Sequence, residues 1–147
     1  FAENARIKSK YGFDKTNLPC FADDSGICIE ALDWKPGIYS KRFKDRFASD
    51  KECFDFIIEK VKNSRKNKAY FQTSVCLTLK NNYHVVFEGK VHGTISKKIL
   101  GKNGFGYDPI FKANENAKTF AELSKAEKNK LSHRSIAINK LVSFLVN

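Results

Sequence analysis

Hydrophobic and polar residues alternate along two stretches of the chain, residues 69–80 and 83–95, which are separated by Asn81-Asn82. Side chains two positions apart lie on the same face of a strand, so this alternation predicts two strands with one buried face. Asparagine tolerates the positive φ of a two-residue turn, which indicates a long antiparallel hairpin. The predicted apolar face consists of Phe71, Val75, Leu77, Leu79, Tyr83, Val85, Phe87, Val91 and Ile95.

Two other segments have the helical period, in which apolar residues recur every three or four positions. Capping-box spacing predicts the N-terminal ends of helices at Ser49/Glu52, Thr119/Glu122 and Ser124/Glu127. The predicted buried stripes are Phe54, Ile57, Ile58 and Val61 in one helix and Ile138, Leu141, Val142 and Leu145 in the last.

The N-terminal part of the chain predicts a helix followed by two short strands. The i,i+4 pairs Phe1/Ala5 and Ile7/Tyr11 favour the helix, and Gly12 is expected to end it. Glycine and proline mark the turns that separate the next elements. The predicted elements are a helix at residues 1–11, a strand at 19–23, a turn at 24–26, a strand at 27–32 and a turn at 35–37.

These elements together predict an α/β or α+β fold with a mixed sheet and flanking helices. The chain has 147 residues, of which 41% are hydrophobic and 13 are phenylalanine, so it is long and apolar enough for a substantial core. No linker, repeat or low-complexity stretch divides the sequence. We therefore expect a single domain over residues 1–147.

The formal net charge of +11 changes the range of partners to consider. A basic surface attracts nucleic acid, membrane headgroups or a small phosphorylated substrate. The four cysteines lack the spacing of a zinc site and favour buried thiols in a reducing compartment, so we expect a soluble cytoplasmic protein that does not act at a membrane. The sequence begins with Phe1 and contains no Met, from which we expect that it is not a complete translation product.

Adjacent carboxylates in the segment FADDSG, residues 21–26, are the first candidate for chemistry. Asp23 and Asp24 point to opposite faces if the segment is extended, so they need not share a role. A carboxylate at a strand-turn junction can hold Mg²⁺ or orient a water molecule. Asp-Ser-Gly is equally typical of an ordinary turn, so the pair decides nothing alone.

Three further polar segments strengthen the case for a site. FAENA places Glu3 near a helix start, where free N–H groups favour an anion. GFGYDP, residues 104–109, combines glycines with aromatic rings that can stack on a base and with Asp108, which can accept from ring N–H groups. SHR contributes a planar guanidinium at Arg134. Each segment alone is explained as well by turn or helix-start chemistry.

Five strings in one order resemble the Ham1/inosine triphosphate pyrophosphatase family. They cover the chain from residue 1 to about residue 145. That family has FxENAxxKA, ADDSG, PGIYSARY, GFGYDPIF and KTFAELSxEEKNxxSHR. This chain has FAENARIKS, ADDSGI, PGIYSKRF, GFGYDPIF and KTFAELSKAEKNKLSHR.

The resemblance implies a house-cleaning enzyme that cuts noncanonical purine nucleoside triphosphates (ITP, dITP, XTP) to the monophosphate and pyrophosphate. It also implies a need for Mg²⁺, a homodimer, no required nucleic acid, and an elongated two-lobed α/β body (ITPase/Maf-like) with a central cleft. Carried over by position, Asp24 is the catalytic proton acceptor and a metal ligand, and Glu3 is a second metal ligand. The implied substrate-binding residues are Ser25, Phe105, Gly106, Tyr107, Asp108, Lys128, His133, Arg134 and, more weakly, Lys8.

The chain departs from the family pattern in two places. Lys41 and Phe43 stand where the family has alanine and tyrosine, while Arg42 is kept. The family's N-terminal strand and its (T/S)GNxxK phosphate loop lie upstream of the FxENA string and are not in this sequence. We therefore expect the 147-residue segment alone to be weak or inactive and the longer protein to be active.

Other functions compatible with the sequence are a related hydrolase with a different base preference, such as a modified pyrimidine, a nucleic-acid-binding module, and a noncatalytic paralogue. The basic clusters are not interleaved with aromatic residues, which is against the nucleic-acid-binding module. The retained Glu3, Asp24, Asp108 and Arg134 are against the noncatalytic paralogue.

Overall fold

The computed structural model describes residues 1–114 and 116–147. The described residues form both helices and strands, and short 3₁₀ turns occur at Glu30–Leu32, Gly37–Tyr39, Asp108–Ile110 and Phe120–Glu122. The elements are α1 (Ala2–Thr16), β1 (Cys20–Ile29), β2 (Lys35–Pro36), α2 (Ser40–Asp45), α3 (Asp50–Ser64), β3 (Lys68–Lys80), β4 (Tyr83–Ile95), β5 (Phe111–Ala113), α4 (Lys125–Asn129) and α5 (His133–Val146). The α/β class with flanking helices is confirmed.

The strands form one sheet in the order β2-β1-β3-β4-β5. β2 is antiparallel to the end of β1, with Cys28 opposite Pro36, and β5 is antiparallel to β4, with Thr94 opposite Lys112. β3 and β4 are neighbours joined by a two-residue turn in which Asn82 has a φ of 62°. The predicted hairpin is confirmed, and so is the reason for asparagine in its turn.

The chain divides into two compact units, and the first consists of Phe1–Ser25, Gln72–Lys90 and Ser132–Asn147. Its apolar core packs Val75 and Leu77 of β3 against Ala137 and Leu141 of α5. The other face of β3 is polar yet also buried, because the hydroxyls of Thr78 and of Ser9 on α1 are hydrogen-bonded at 2.8 Å. α1 and α5 therefore cover opposite faces of this part of β3.

The second unit consists of Gly26–Phe71 and Val91–Leu131. Three buried rings, Phe71, Phe111 and Phe120, contact one another with centroids 4.6 to 5.7 Å apart. Phe54 and Ile57 of α3 belong to the same core, as predicted for that helix. Ser49 caps α3 by accepting from the Glu52 N–H. The single domain that the sequence predicts over residues 1–147 stays a prediction.

The predicted turn at residues 24–26 is wrong, because β1 continues through it as one strand. The Asp-Ser-Gly sequence forms a turn when its side chains bond the local backbone. Here the Ser25 hydroxyl instead donates to Thr73 Oγ1, 48 positions along the chain, at 2.6 Å. Gly26 allows β1 to lie close to the backbone of Gly37, since a Cβ at position 26 would lie 2.1 Å from the Gly37 carbonyl oxygen.

Gly12 does not end α1, which continues to Thr16 and closes on Asn17 in the left-handed conformation with a φ of 57°. Glycine inside a helix is unfavourable by about 1 kcal/mol relative to alanine, but this does not stop a helix held by tertiary packing. A Cβ at position 12 would lie 3.2 Å from Cys20 Sγ, so the glycine lets the helix approach β1. Ile7 and Tyr11, the predicted pair, are exposed.

The buried stripe of α5 is narrower than predicted. His133, Ala137 and Leu141 are buried at four-residue spacing, whereas Val142 and Leu145 are exposed. The small Ala137 side chain lets the helix lie close to β3, so the buried positions are those centred on it.

The turn predicted at residues 35–37 is wrong, because Lys35–Pro36 pairs with the end of β1 as β2 and Gly37 begins a 3₁₀ turn. The strand predicted at residues 27–32 ends at Ile29, where the 3₁₀ turn Glu30–Leu32 follows, and Tyr83 of the predicted apolar face is exposed.

The other capping and cysteine predictions agree with the structure. The boxes at Thr119/Glu122 and Ser124/Glu127 have both reciprocal hydrogen bonds. All four cysteines are free thiols, three of them buried. Within residues 1–114 and 116–147, no helix combines the length and the apolar character needed to cross a membrane.

Candidate functional site

Asp24 is held by two residues of α1 in the first unit. Asn4 Nδ2 donates to Asp24 Oδ2 at 3.2 Å, and Lys8 Nζ lies 3.5 Å from Asp24 Oδ1. Lys8 Nζ also donates to the Asp23 carbonyl oxygen at 2.9 Å. The residues sit four apart on α1, so they extend from one side of the helix toward β1. The helix thus orients a carboxylate whose side chain is 15% exposed.

Asp23 and Ser25, which flank Asp24 in β1, both contact Arg134, the second residue of α5. Arg134 Nη2 lies 3.5 Å from Asp23 Oδ2, and its Nε donates to Ser25 Oγ at 3.3 Å. Ser25 Oγ also lies 3.2 Å from Asp23 Oδ2. Thr73 is fully buried and donates to the Asp24 carbonyl oxygen at 3.3 Å, in addition to accepting from Ser25. We call Asn4, Lys8, Asp23, Asp24, Ser25, Thr73 and Arg134 the carboxylate cluster.

Glu3 is engaged by a different partner. Arg6 donates to both Glu3 carboxylate oxygens, at 2.9 and 2.6 Å, on the exposed surface of α1. This hydrogen bond lowers the pKa of Glu3 below its ordinary value. The predicted role of Glu3 as a metal ligand therefore requires its carboxylate to leave Arg6.

The donor set of the carboxylate cluster suits a hard divalent cation that also binds phosphate. Among residues 1–114 and 116–147, no three His, Cys, Asp or Glu side chains are grouped as a metal site. Mg²⁺ commonly binds through one or two carboxylates plus substrate phosphates, and so needs no complete protein cage. Asp24 supplies carboxylate oxygens of the required kind, so the residues fit a shared ion.

The GFGYDP segment, residues 104–109, lies in the second unit. Gly104 and Gly106 have φ values of 73° and 62°, which favour glycine. Phe105 between them is 60% exposed, and Lys128 Nζ lies 4.6 Å from its ring centroid. An exposed ring on a glycine turn is a suitable stacking surface for a planar base.

Tyr107 and Asp108 of this segment are buried and have internal partners. The Tyr107 hydroxyl donates to the Ser40 carbonyl oxygen, its ring packs on Phe54, and burial raises its pKa. Asp108 Oδ2 accepts from Lys128 Nζ and from the Phe105 N–H. The stacking prediction thus narrows to Phe105, because the Tyr107 ring lies in the core. Asp108 stabilises the glycine turn through the Phe105 N–H and pairs with the Lys128 ammonium.

The family resemblance implies that Lys128, His133 and Arg134 bind the substrate, and the structure gives each of them a defined local setting. Lys128 belongs to α4, which its capping box begins at Ser124, and it is mostly buried against Asp108. His133 is buried at the start of α5, and Arg134 joins the carboxylate cluster. Ser132 caps this helix by accepting from the Ser135 N–H.

Two residues of the cluster were missed by sequence reasoning. Asn4 is inside FAENA, but an amide beside a glutamate carries no signal of its partner. Thr73 did carry a signal, because it is the polar residue among the odd-numbered apolar positions of β3. A polar side chain at a core-facing position must find a hydrogen-bond partner, which predicts contacts with other functional groups.

The comparison with known proteins decides the family. The sequence profile of the Ham1 family matches residues 1–144. The chain belongs to the Ham1 family. A dITP/XTP pyrophosphatase of Leptospira biflexa is 44% identical over 140 residues, covering 94% of this chain and 70% of the relative. One of Flavobacterium psychrophilum is 37% identical over 144 residues, covering 98% and 75%.

Solved structures of Ham1 family proteins have the same fold. The Ham1 protein of Staphylococcus aureus has a TM-score of 0.89 at 40% identity, with 99% of this chain and 76% of that chain covered. A HAM1 protein of Coxiella burnetii has a TM-score of 0.91 at 37% identity, with the same coverage of both chains. The predicted family and fold are thus confirmed.

Proposed function

We propose that this chain is a hydrolase that cleaves dITP, ITP and XTP to the monophosphate and pyrophosphate. Relatives that carry the name dITP/XTP pyrophosphatase are 37% and 44% identical across nearly the whole chain. The observation that carries the proposal is the Asp24 carboxylate, which two α1 side chains orient within the ADDSG string. We also propose a cytoplasmic homodimer.

In the proposed mechanism Asp24 accepts the proton of the water that attacks the α-phosphorus. General-base catalysis by a positioned side chain is worth about 10²- to 10⁴-fold in rate. Asn4 donates to one Asp24 oxygen and leaves the other, beside Lys8, to take part in the proton transfer. Lys8 and Arg134 bring positive charge to an otherwise acidic strand, which favours binding of the phosphates.

We propose Mg²⁺ as the cofactor, with Asp24 as one ligand and Glu3 as a second after it leaves Arg6. When bound, the ion would neutralise the negative charge that develops on the leaving pyrophosphate. The chain's own contribution is to orient Asp24 through Asn4 and Thr73, which fixes the direction of its carboxylate.

Base recognition is proposed to use stacking on Phe105 and a hydrogen-bond donor directed at a 6-oxo group. Arg134 and His133 are candidates for that donor. Hypoxanthine and xanthine accept from it, whereas the 6-amino group of adenine leaves it unmet, which costs about 1–3 kcal/mol if the donor is buried. Gly106 allows the backbone to approach the base, while Asp108 and Lys128 support Phe105.

The decisive experiment measures pyrophosphate release from dITP, XTP, dGTP, dATP and dUTP with Mg²⁺, and again after chelation. The protein is expected to prefer dITP and XTP and to lose turnover without the metal. A preference for dUTP would instead indicate a pyrimidine hydrolase. The same assay on a longer protein that includes the family's upstream strand and phosphate loop distinguishes a weakly active segment from a noncatalytic paralogue. No release from either protein would contradict the proposal.

Asp24→Asn is expected to lower kcat for dITP by about 10²-fold or more, because the amide cannot accept the proton. Asp14→Asn is the matched control, since Asp14 is an exposed carboxylate that pairs with Lys10 on α1. Thermal unfolding of both variants checks that the fold is intact. Equal kcat values for Asp24→Asn and the control would remove Asp24 from the mechanism.

A further inference from the structure

A large groove lies in the second unit, and none of the described residues that line it is a candidate catalytic or substrate-binding residue. Its volume is about 770 Å³, within the usual range of about 300–1,000 Å³ for small-molecule pockets. The walls come from the 3₁₀ turns at Glu30–Leu32 and Gly37–Tyr39, from α2 and from α3. We call it the basic groove.

Four cations line the basic groove: Lys35, Arg42, Arg46 and Lys60. Among the described residues, Asp33 is the one carboxylate in its lining. In the part of the chain that the structure describes, none of the four cations forms an ion pair with a carboxylate. Their neighbours Lys41 and Lys44 on α2 do form such pairs, with Asp45 and Asp50. The four cations of the groove are therefore available to bind an anion.

Aromatic rings hold three of these cations in place. Arg42 lies over Tyr39, Arg46 over Phe43 and Lys60 over Phe56, at 5.5 to 5.8 Å from the ring centroids. A guanidinium over a ring keeps its N–H groups free to bind phosphate oxygens at its edge. Tyr39 is 55% exposed and offers a flat face for a planar group.

The charge of the groove argues against a second copy of the same face as its occupant. A twofold contact would place four cations and one carboxylate against an identical set, and like charges brought together are unfavourable. An anion with an aromatic part complements both the unpaired cations and the exposed ring.

We propose that the basic groove, whose described lining shares no residue with the carboxylate cluster, is a second binding site for a nucleoside phosphate. The phosphate lies between Arg42 and Arg46, and the base stacks on Tyr39. The same chemistry is present in a free nucleotide and in single-stranded nucleic acid, and both are tested below.

The probe is AMP, which has no anhydride bond for a pyrophosphatase to cleave. Binding to the whole chain is followed by the fluorescence of Trp34, the single tryptophan, which adjoins Asp33 and Lys35 of the groove. Calorimetry supplies an independent affinity. Ribose 5-phosphate and adenosine test the phosphate and the base separately, and we expect each to bind at least about tenfold more weakly than AMP. Equal binding of AMP and ribose 5-phosphate would overturn the stacking part of the proposal.

Arg42→Gln/Arg46→Gln is expected to weaken AMP binding at least about tenfold. Lys41→Gln/Lys51→Gln is the matched control, because it removes the same charge from exposed positions of α2 and α3 outside the groove. If both double variants bind AMP equally, the proposal is overturned. Should the arginine variant unfold, Lys60→Glu on the exposed side of α3 gives the same test.

An oligothymidylate distinguishes the two sources of the ligand. If the oligothymidylate binds more tightly than AMP and displaces it, the groove is assigned to single-stranded nucleic acid. If only AMP binds, the groove is assigned to free nucleotides.

Sedimentation of the Arg42→Gln/Arg46→Gln variant tests whether the groove is instead a protein interface. A change in oligomeric state without a change in AMP affinity would make the groove a protein interface and refute the proposal. dITP hydrolysis, measured alongside, reports separately on the proposed function.

Discussion

Thr73 supports the carboxylate cluster from inside the first unit. Its hydroxyl accepts from Ser25 and donates to the Asp24 carbonyl oxygen, and the side chain is fully buried. Valine has nearly the same shape but offers neither bond. The position of Ser25, and through the backbone that of Asp24, therefore depends on a residue that need not touch the substrate.

Thr73→Val is expected to lower the free energy of unfolding by about 1–3 kcal/mol, because buried polar groups lose their partner. It is also expected to lower kcat for dITP more than it changes KM. Thr73→Ser keeps the hydroxyl and should restore kcat. Urea unfolding and pyrophosphate release measure the two effects. A valine variant with unaltered kcat would assign Thr73 to stability alone.

Lys128 and Asp108 form the most buried ion pair of the described residues, with side chains 15% and 4% exposed. Lys128→Met leaves the Asp108 charge buried without its cation, and breaking such a pair typically costs about 3–5 kcal/mol. Lys125→Met on the same helix removes an exposed lysine and should change stability by less than about 0.5 kcal/mol. Equal urea midpoints for the two variants would refute the structural role of the pair.

Sequence motifs select candidate residues for chemistry, but they do not show which groups those residues contact. Asp24 and Lys8 are brought together, and both were predicted. Asp108 was expected to accept from a ligand, yet one of its oxygens already accepts from Lys128 and Phe105. A short string shows the residue type, whereas its partner 20 positions away depends on how the helices and turns fold around it.

At the scale of elements, α4 depends on its cap more than on its length. Five residues are too few for a helix to be stable alone, and the Ser124/Glu127 box satisfies its first N–H groups. The hydrogen bond from the Ser124 N–H lowers the pKa of Glu127 below its ordinary value of 4.5. A depressed pKa means that the box stabilises the fold above pH 4.5 and that this contribution is lost as the pH falls through the folded pKa.

An NMR titration of the Glu127 carboxyl carbon is expected to give a midpoint below 4.5. Glu127→Gln can still accept the hydrogen bond and should remove this group's part of the acid dependence of stability. A midpoint at or above the ordinary value would show that the carboxylate does not accept from Ser124 in solution.

The helix α3 and the β3–β4 hairpin were predicted correctly from local signals, whereas the local turn signals at residues 24–26 and 35–37 gave wrong predictions because those residues pair in the sheet. α3 has a cap and an apolar period, and the hairpin has alternation and an asparagine turn. β1 contains Asp-Ser-Gly, whose turn preference is overridden by Thr73 and by the close approach of Gly37. α1 passes through Gly12 because packing against Cys20 favours a residue without a side chain.

For the whole molecule, the net charge of +11 predicts salt-sensitive association with a polyanionic substrate. Exposed charges are screened over about 10 Å at 0.1 M salt, so the long-range attraction of a triphosphate weakens as salt is added. We expect kcat/KM for dITP to fall with ionic strength while kcat changes little. Steady-state kinetics across a sodium chloride series measure both constants. A kcat/KM independent of salt would show that the basic surface does not guide the substrate.

Gly26 has a consequence for how this sequence can change over generations. A methyl group there would occupy the space of the Gly37 carbonyl, and no rotation of a flexible neighbour can relieve a clash with backbone. A larger residue at position 26 would force apart the backbone around the strand that carries Asp24. The carboxylate proposed to be catalytic thus depends on a nearby glycine whose contribution is the space that it leaves for backbone.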